Sequence, residues 1–293
     1  MTNFHPSLLH GLGTALVTPF KQDKTIDFVS LGALIEQQID AGADYLVVLG
    51  TTSEAATMNE PERLAVRDYI IRRVAGRVPL VLGVGGNCTR QVVEEIQQVA
   101  LVLKQHFAAI LSVCPYYNKP TQEGMYQHFT TIAEASPGPV ILYNVPGRTG
   151  VNLLPETVER IREAQPAKVV GIKEASGNVE QIRRLLSLVP TDFLVISGDD
   201  QLACELMEAG AKGLISVASN AFPAEFRQIV HRKDRALSER FAEMVRLLFA
   251  EGNPVGIKGV LAEKGLIHNV LRLPLVACSP TLQAQIRSEL SRL

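Results

Sequence analysis

The absences in this chain of 293 residues already exclude several kinds of protein. Its four cysteines, Cys88, Cys114, Cys204 and Cys278, lie far apart, without the close pairing of a zinc site or a redox dithiol, and read as buried structural thiols. The six histidines carry no His-x-x-x-His or similar ligand spacing, which argues against a histidine-built metal centre. With 29 Lys and Arg against 30 Asp and Glu there is no basic surplus to hold nucleic acid or an anionic membrane. No apolar run reaches the roughly eighteen residues of a membrane span, and the first residues lack a basic region followed by a long apolar core. A cytoplasmic protein is expected, with small molecules or copies of itself as partners. Nothing in the middle of the chain reads as a linker.

What is present is a repeating alternation. Apolar runs at residues 14–20, 45–50, 79–84, 108–117, 140–145, 169–175, 193–198 and 213–218 read as eight strands. Between them lie amphipathic stretches: Leu31, Leu34, Ile35 and Ile39 mark one helical face, and Val92, Ile96, Val99 and Leu103 mark another. Asn59, followed by an acidic residue three positions on, reads as a helix N-cap. Helical crossovers make the strands parallel, and eight such units close into an α/β fold, a (β/α)8 TIM barrel. An open doubly wound sheet would carry a Gly-rich nucleotide turn after its first strand, where this chain has Thr18-Pro19-Phe20. Residues 236–250, 255–264 and 281–293 exceed what a minimal barrel needs. The expected organisation is a barrel over 1–223 carrying the active site and a C-terminal helical extension over 224–293.

Active sites of such barrels lie at the C-terminal ends of the strands. There the segment Val169-Val170-Gly171-Ile172-Lys173-Glu174 places a lysine in what is otherwise a fully buried strand, a costly position. Two readings stand open: the side chain ends the strand and reaches solvent along its stem, or it has a chemical task. A desolvated amine loses affinity for its proton, and a neutral amine attacks carbonyls to form a Schiff base. If Lys173 points inward so does Gly171, which is then expected to leave space below the lysine stem.

Other strand ends carry hydroxyls and phenols. Gly50-Thr51-Thr52-Ser53-Glu54 offers hydroxyls and successive N–H groups to a carboxylate, or is an ordinary turn with hydroxyl capping. Tyr116, Tyr117 and Tyr143 can shuttle protons, and Arg148 can hold a carboxylate through two parallel hydrogen bonds; the alternative is an amphipathic rim with a solvated loop charge. Their occurrence with Lys173 at consecutive strand ends favours catalysis. Gly83-Val84-Gly85-Gly86-Asn87 lacks the Lys-Ser/Thr of a phosphate loop, and Asp199-Asp200 reads better as an acidic helix start than as a magnesium site.

The motifs Gly50-Thr51-Thr52-x-Glu54, Pro115-Tyr116-Tyr117-Asn118, Leu142-Tyr143-Asn144-Val145-Pro146-x-Arg148-Thr149-Gly150, Gly171-Ile172-Lys173-Glu174-Ala175 and Ser197-Gly198-Asp199-Asp200 are jointly specific. Through them the chain, from about residue 11 to 274, resembles the 4-hydroxy-tetrahydrodipicolinate (dihydrodipicolinate) synthase family of the pyruvate-dependent class I aldolase superfamily. The resemblance implies a lyase of lysine and diaminopimelate biosynthesis that condenses pyruvate with L-aspartate-4-semialdehyde and needs no metal or organic cofactor. It implies Lys173 as the Schiff-base residue and Tyr143, Thr52 and Tyr117 as a proton relay, with Tyr117 reaching in from a neighbouring subunit of a homotetramer, a dimer of dimers. Thr51 and Thr52 would hold the pyruvate carboxylate, Arg148 that of the semialdehyde, and the backbone at Gly198 and Ile215 would line the pocket.

Two departures stand out. Ser53 replaces a glycine that many members carry, and would be strained if the turn needs a positive φ there. At the positions matching a lysine-binding regulatory site, Asn87 and Tyr116 fit the lysine-sensitive pattern, whereas Ala55, Glu60, Arg63 and Gln91 do not; Ala56 completes the set. Weak or absent lysine feedback is expected. Rival readings are a sugar-acid lyase with the same lysine, against which Arg148 argues, and a non-catalytic barrel that binds a small acid and forms no adduct at Lys173.

Overall fold

Short runs of branched aliphatic residues, apolar on both faces, become strands with helices between them. The computed structural model describes residues 5–293. Its strands are β1 (Gly11–Ala15), β2 (Tyr45–Val48), β3 (Leu80–Gly83), β4 (Ala109–Val113), β5 (Val140–Asn144), β6 (Val169–Glu174), β7 (Leu194–Ser197) and β8 (Gly213–Ser216), which follow one another in chain order as a closed parallel barrel. The α-helices are α1 (Phe28–Asp40), α2 (Glu60–Val74), α3 (Thr89–Gln98), α4 (Ala100–His106), α5 (Gln122–Ala135), α6 (Pro146–Thr149), α7 (Pro155–Ala164), α8 (Val179–Leu188), α9 (Ala203–Ala209), α10 (Pro223–Arg232), α11 (Arg235–Phe249), α12 (Val255–Glu263) and α13 (Pro280–Leu290). Asn59 caps α2 in a full capping box, its side chain accepting from the Glu62 N–H while the Glu62 carboxylate accepts from the Asn59 N–H.

Two expectations are corrected. The first strand lies at Gly11–Ala15 rather than 14–20. Asp44 holds its start, with the carboxylate accepting from the Leu12 N–H at 2.7 Å, and Gly13 lacks a side chain because the Tyr45 ring fills that place. Beyond it Pro19 has no N–H to give a ladder, and Phe20 pairs instead with Ile26 in an antiparallel bridge. The second face is broken: Val99, at φ −102° and ψ 9°, separates α3 from α4, although its carbonyl still accepts from Leu103.

The chain divides into two compact units. The first comprises Pro79–Ile215 with the described part of Met1–His10. In it β3 to β8 are paired, and α3, α5, α7 and α8 pack as successive neighbours. The second comprises Gly11–Val78 and Ser216–Leu293. There α10 packs on β1, and α11, α12 and α13 pack on one another. A buried polar knot joins its two segments: Thr14 donates to Gln38, Ser219 donates to Thr14, and the Asn220 amide donates to the Ala15 carbonyl. Every member is satisfied, so the knot costs little in a core and fixes register. The cysteines are thiols rather than disulfides; Cys114, Cys204 and Cys278 are buried, whereas Cys88 is only half-buried. Among the described residues no helix is long and apolar enough to cross a membrane, and no three His, Cys, Asp or Glu side chains gather as metal ligands.

Candidate active site

In the first unit, β5 and β6 pair with Tyr143 opposite Lys173 and Asn144 opposite Glu174. Successive strand residues face opposite sides, so the phenol and the amine share one face and the amide and carboxylate share the other. Lys173 is 7% exposed, and its Nζ lies 4.4 Å from the centre of the Tyr143 ring. The side chain is therefore buried rather than carried to solvent along its stem. The space for its stem has a different origin from the one expected. A Cβ at Gly171 would strike Leu194 on β7, whereas a Cβ at Gly198 would come within 2.7 Å of Lys173 Cε. The glycine just past the end of the neighbouring strand β7, not the one two residues back, makes room for the lysine.

On the opposite face a network braces the two strand ends. Asn144 donates to both carboxylate oxygens of Glu174, at 3.2 and 3.0 Å, and to Asn152 at 2.8 Å, while its own carbonyl accepts from the Leu153 N–H. Glu174 also accepts from the Ser176 N–H and from Gln181. Burial pushes the Glu174 carboxyl above the usual range, opposed by these donors. Sequence reasoning gave Asn144 and Glu174 no role; the signal was an amide and an acid each following a catalytic candidate, hence on the opposite face.

Tyr117 stands at φ 73° and is 89% exposed, in a turn where Asn118 donates to the Asn87 carbonyl. Tyr116 is exposed as well. Arg148 is an exposed residue of the single-turn helix α6, which Gly150 closes at φ 73°. Ile215 is buried on β8, and the Gly198 N–H donates to the Glu174 carbonyl. Asp199 accepts from the Gln201 N–H just ahead of α9.

In the second unit, Thr51–Ser53 form a tight 3-10 turn. The left-handed residue is Glu54, at φ 57°, so Ser53 escapes the strain foreseen for it and its hydroxyl donates to the Gly50 carbonyl at 2.7 Å. Thr51 is exposed and Thr52 is 2% exposed. Two residues that sequence reasoning did not assign hold this turn. The Asn253 amide donates to Thr52 Oγ1 at 2.9 Å, and Lys258, fully buried, pairs with the Glu54 carboxylate. Burial pulls the Lys258 ammonium down to about 8 despite that carboxylate. Its Nζ sits 4.1 Å from the Phe20 ring centre and donates to the Val270 carbonyl. Arg272 covers the same ring, donates its N–H to Glu54 and grips Glu62 with two hydrogen bonds.

A family model described as the dihydrodipicolinate synthetase family matches residues 8–293. The 4-hydroxy-tetrahydrodipicolinate synthase of Parabacteroides distasonis is 48% identical, across 97% of this chain and 97% of that protein. Among solved structures the chain is similar to the chloride-inhibited dihydrodipicolinate synthase of Acinetobacter baumannii complexed with pyruvate, with a TM-score of 0.92 and 40% identity, covering 97% of this chain and 98% of that one. It is equally similar to a monomeric dihydrodipicolinate synthase variant, with a TM-score of 0.92 and 39% identity over 98% of this chain and 97% of that one.

Proposed function

The chain belongs to the dihydrodipicolinate synthetase family, and from that premise we propose how its own residues carry the reaction. The reaction is the condensation of pyruvate with L-aspartate-4-semialdehyde to 4-hydroxy-tetrahydrodipicolinate, a lyase step of lysine and diaminopimelate biosynthesis. In the proposed course the Lys173 amine attacks the ketone carbon of pyruvate, and the carbinolamine loses water to an iminium. The iminium draws electrons from the pyruvyl methyl group, which gives up a proton with the help of Tyr143 and becomes an enamine. That enamine attacks the aldehyde carbon, whose oxygen takes up a proton to become the hydroxyl; the amino group of the semialdehyde then attacks the re-formed iminium carbon and displaces the Lys173 amine, closing the ring. Tyr143, Thr52 and Tyr117 form the relay that supplies and removes protons. Thr51 and Thr52 hold the pyruvate carboxylate, Arg148 takes that of the semialdehyde, and Gly198 and Ile215 line the pocket. The iminium is itself the electron sink, so the scheme calls on no metal or organic cofactor.

The observation that carries this reading is the buried Lys173 beside the Tyr143 ring on paired strands, in the space Gly198 leaves. The pyruvate complex of the Acinetobacter baumannii relative adds support. The 89% exposure of Tyr117 supports a phenol offered to a second copy of the chain, within a homotetramer built as a dimer of dimers. A cytoplasmic location and a barrel over 1–223 with a helical extension over 224–293 belong to the same proposal. Borohydride added with pyruvate tests it. The expected result is a permanent mass increase at Lys173 in the wild type and none in Lys173→Ala. An adduct elsewhere, or turnover with N-acetylmannosamine but not with the semialdehyde, overturns it.

A further inference from the structure

We infer that Asn253 is a positioning residue for the proton relay, acting through Thr52; the inference rests on the relay role proposed above. A threonine hydroxyl has one hydrogen to give and two lone pairs to receive with. Asn253 Nδ2 donates to Thr52 Oγ1 at 2.9 Å inside a buried environment, Thr52 being 2% and Asn253 8% exposed. One lone pair is thereby occupied and the hydroxyl hydrogen is turned away from Asn253. A relay needs this: a hydroxyl free to rotate spends part of its time with its hydrogen misdirected, and each misdirected orientation is a dead end for proton transfer.

The surroundings make that single bond decisive. Thr52 cannot reorient by moving its backbone, because the turn is held at its other end by the buried Lys258–Glu54 pair and by the Arg272 N–H on Glu54. Asn253 and Lys258 lie on one short stretch, just ahead of α12 and within its first turns. That stretch grips the Thr52–Glu54 turn twice, once at the hydroxyl and once at the carboxylate. The second grip keeps the turn in place and the first aims the proton.

The test is a double-mutant cycle read in kcat and in KM for pyruvate. Asn253→Ala is expected to lower kcat about 10-fold or more, a part of the roughly 100- to 10,000-fold that general acid–base catalysis contributes, while KM for pyruvate stays within roughly 2-fold. Asn253→Asp keeps the side-chain shape but replaces the donor by an acceptor that draws the Thr52 hydrogen onto itself, so it is expected to be worse than Asn253→Ala. A packing role predicts the reverse order. In a Thr52→Val background the Asn253→Ala change is expected to cost nothing further in kcat. Borohydride trapping of pyruvate on Lys173 identifies variants whose site is intact, and Asn253→Ser serves in the cycle should alanine prevent folding. Equal loss from Asn253→Ala in both backgrounds, or better activity in Asn253→Asp than in Asn253→Ala, overturns the inference alone. A Thr52→Val enzyme with unchanged kcat overturns the relay reading itself, and the inference with it.

Discussion

Glycine 198 shows how much a missing methyl group can decide. The position that a Cβ would take lies 2.7 Å from both Lys173 Cε and the Ala175 Cβ, closer than carbon atoms can approach. Gly198→Ala is therefore expected to displace the lysine while leaving the strand paired, lowering the rate of borohydride-trappable adduct formation about 100-fold, the scale of a misplaced reacting group. A near-wild-type melting temperature alongside that loss identifies the effect as local. Lys258 makes a second residue-scale case. Lys258→Met leaves the buried Glu54 carboxylate without its cation and is expected to cost about 3–5 kcal/mol, measurable as a shift in urea midpoint. Neither role was legible in the chain. Lys173 was, because an amine inside an apolar strand is anomalous on its own; Gly198 is anomalous only once β7 is laid beside β6.

Elements were legible where their signals are local. Asn59 and Glu62 announce the start of α2 through a hydrogen-bond pair three residues apart, and the alternation along α1 places Leu31, Leu34 and Ile35 in the core. The start of β1 was not legible, since it depends on a carboxylate at Asp44. The pairing of α3 with α5 contains a titratable contact: Thr89 at the start of α3 meets His128 Nδ1 at 2.9 Å, and burial pulls the His128 imidazole down to about 4. Between about pH 6.5 and 4 the unfolded chain takes up a proton that the folded one refuses, so stability present at neutral pH is lost as pH falls through that window. Urea midpoints at pH 7 and pH 5 are expected to differ less in His128→Gln than in the wild type; an identical pH dependence in both would show that the imidazole is not the source.

For the molecule as a whole the decisive matter is assembly. If Tyr117 serves the site of another subunit, Tyr117→Phe and Lys173→Ala chains, each poorly active, complement one another when dissociated and reassembled together. Each mixed pair then holds one intact site, and roughly a quarter of wild-type activity is expected from random pairing in a symmetric dimer. Activity no greater than the sum of the separate variants would place Tyr117 in the site of its own chain. Lysine is expected to inhibit weakly or not at all, because Ala55, Glu60, Arg63 and Gln91 depart from the sensitive pattern. An inhibition curve with its midpoint at micromolar lysine would contradict this.

By itself the sequence determined the class of fold and the kind of chemistry. Apolar runs alternating with amphipathic stretches specify parallel strands and crossover helices, and residue type alone marks Lys173, Tyr143, Thr52, Tyr117 and Arg148 as groups able to act. Tertiary structure alone decided what surrounds and aims those groups: Gly198 beside the lysine stem, Asn144 and Glu174 bracing it from behind, Glu54 rather than Ser53 taking the left-handed position, and Asn253 reaching Thr52 across 201 residues of chain. The division has one physical cause. Periodicity and residue chemistry are properties of neighbours along the chain, whereas packing space and hydrogen-bond direction are set by atoms that become neighbours only when the chain folds.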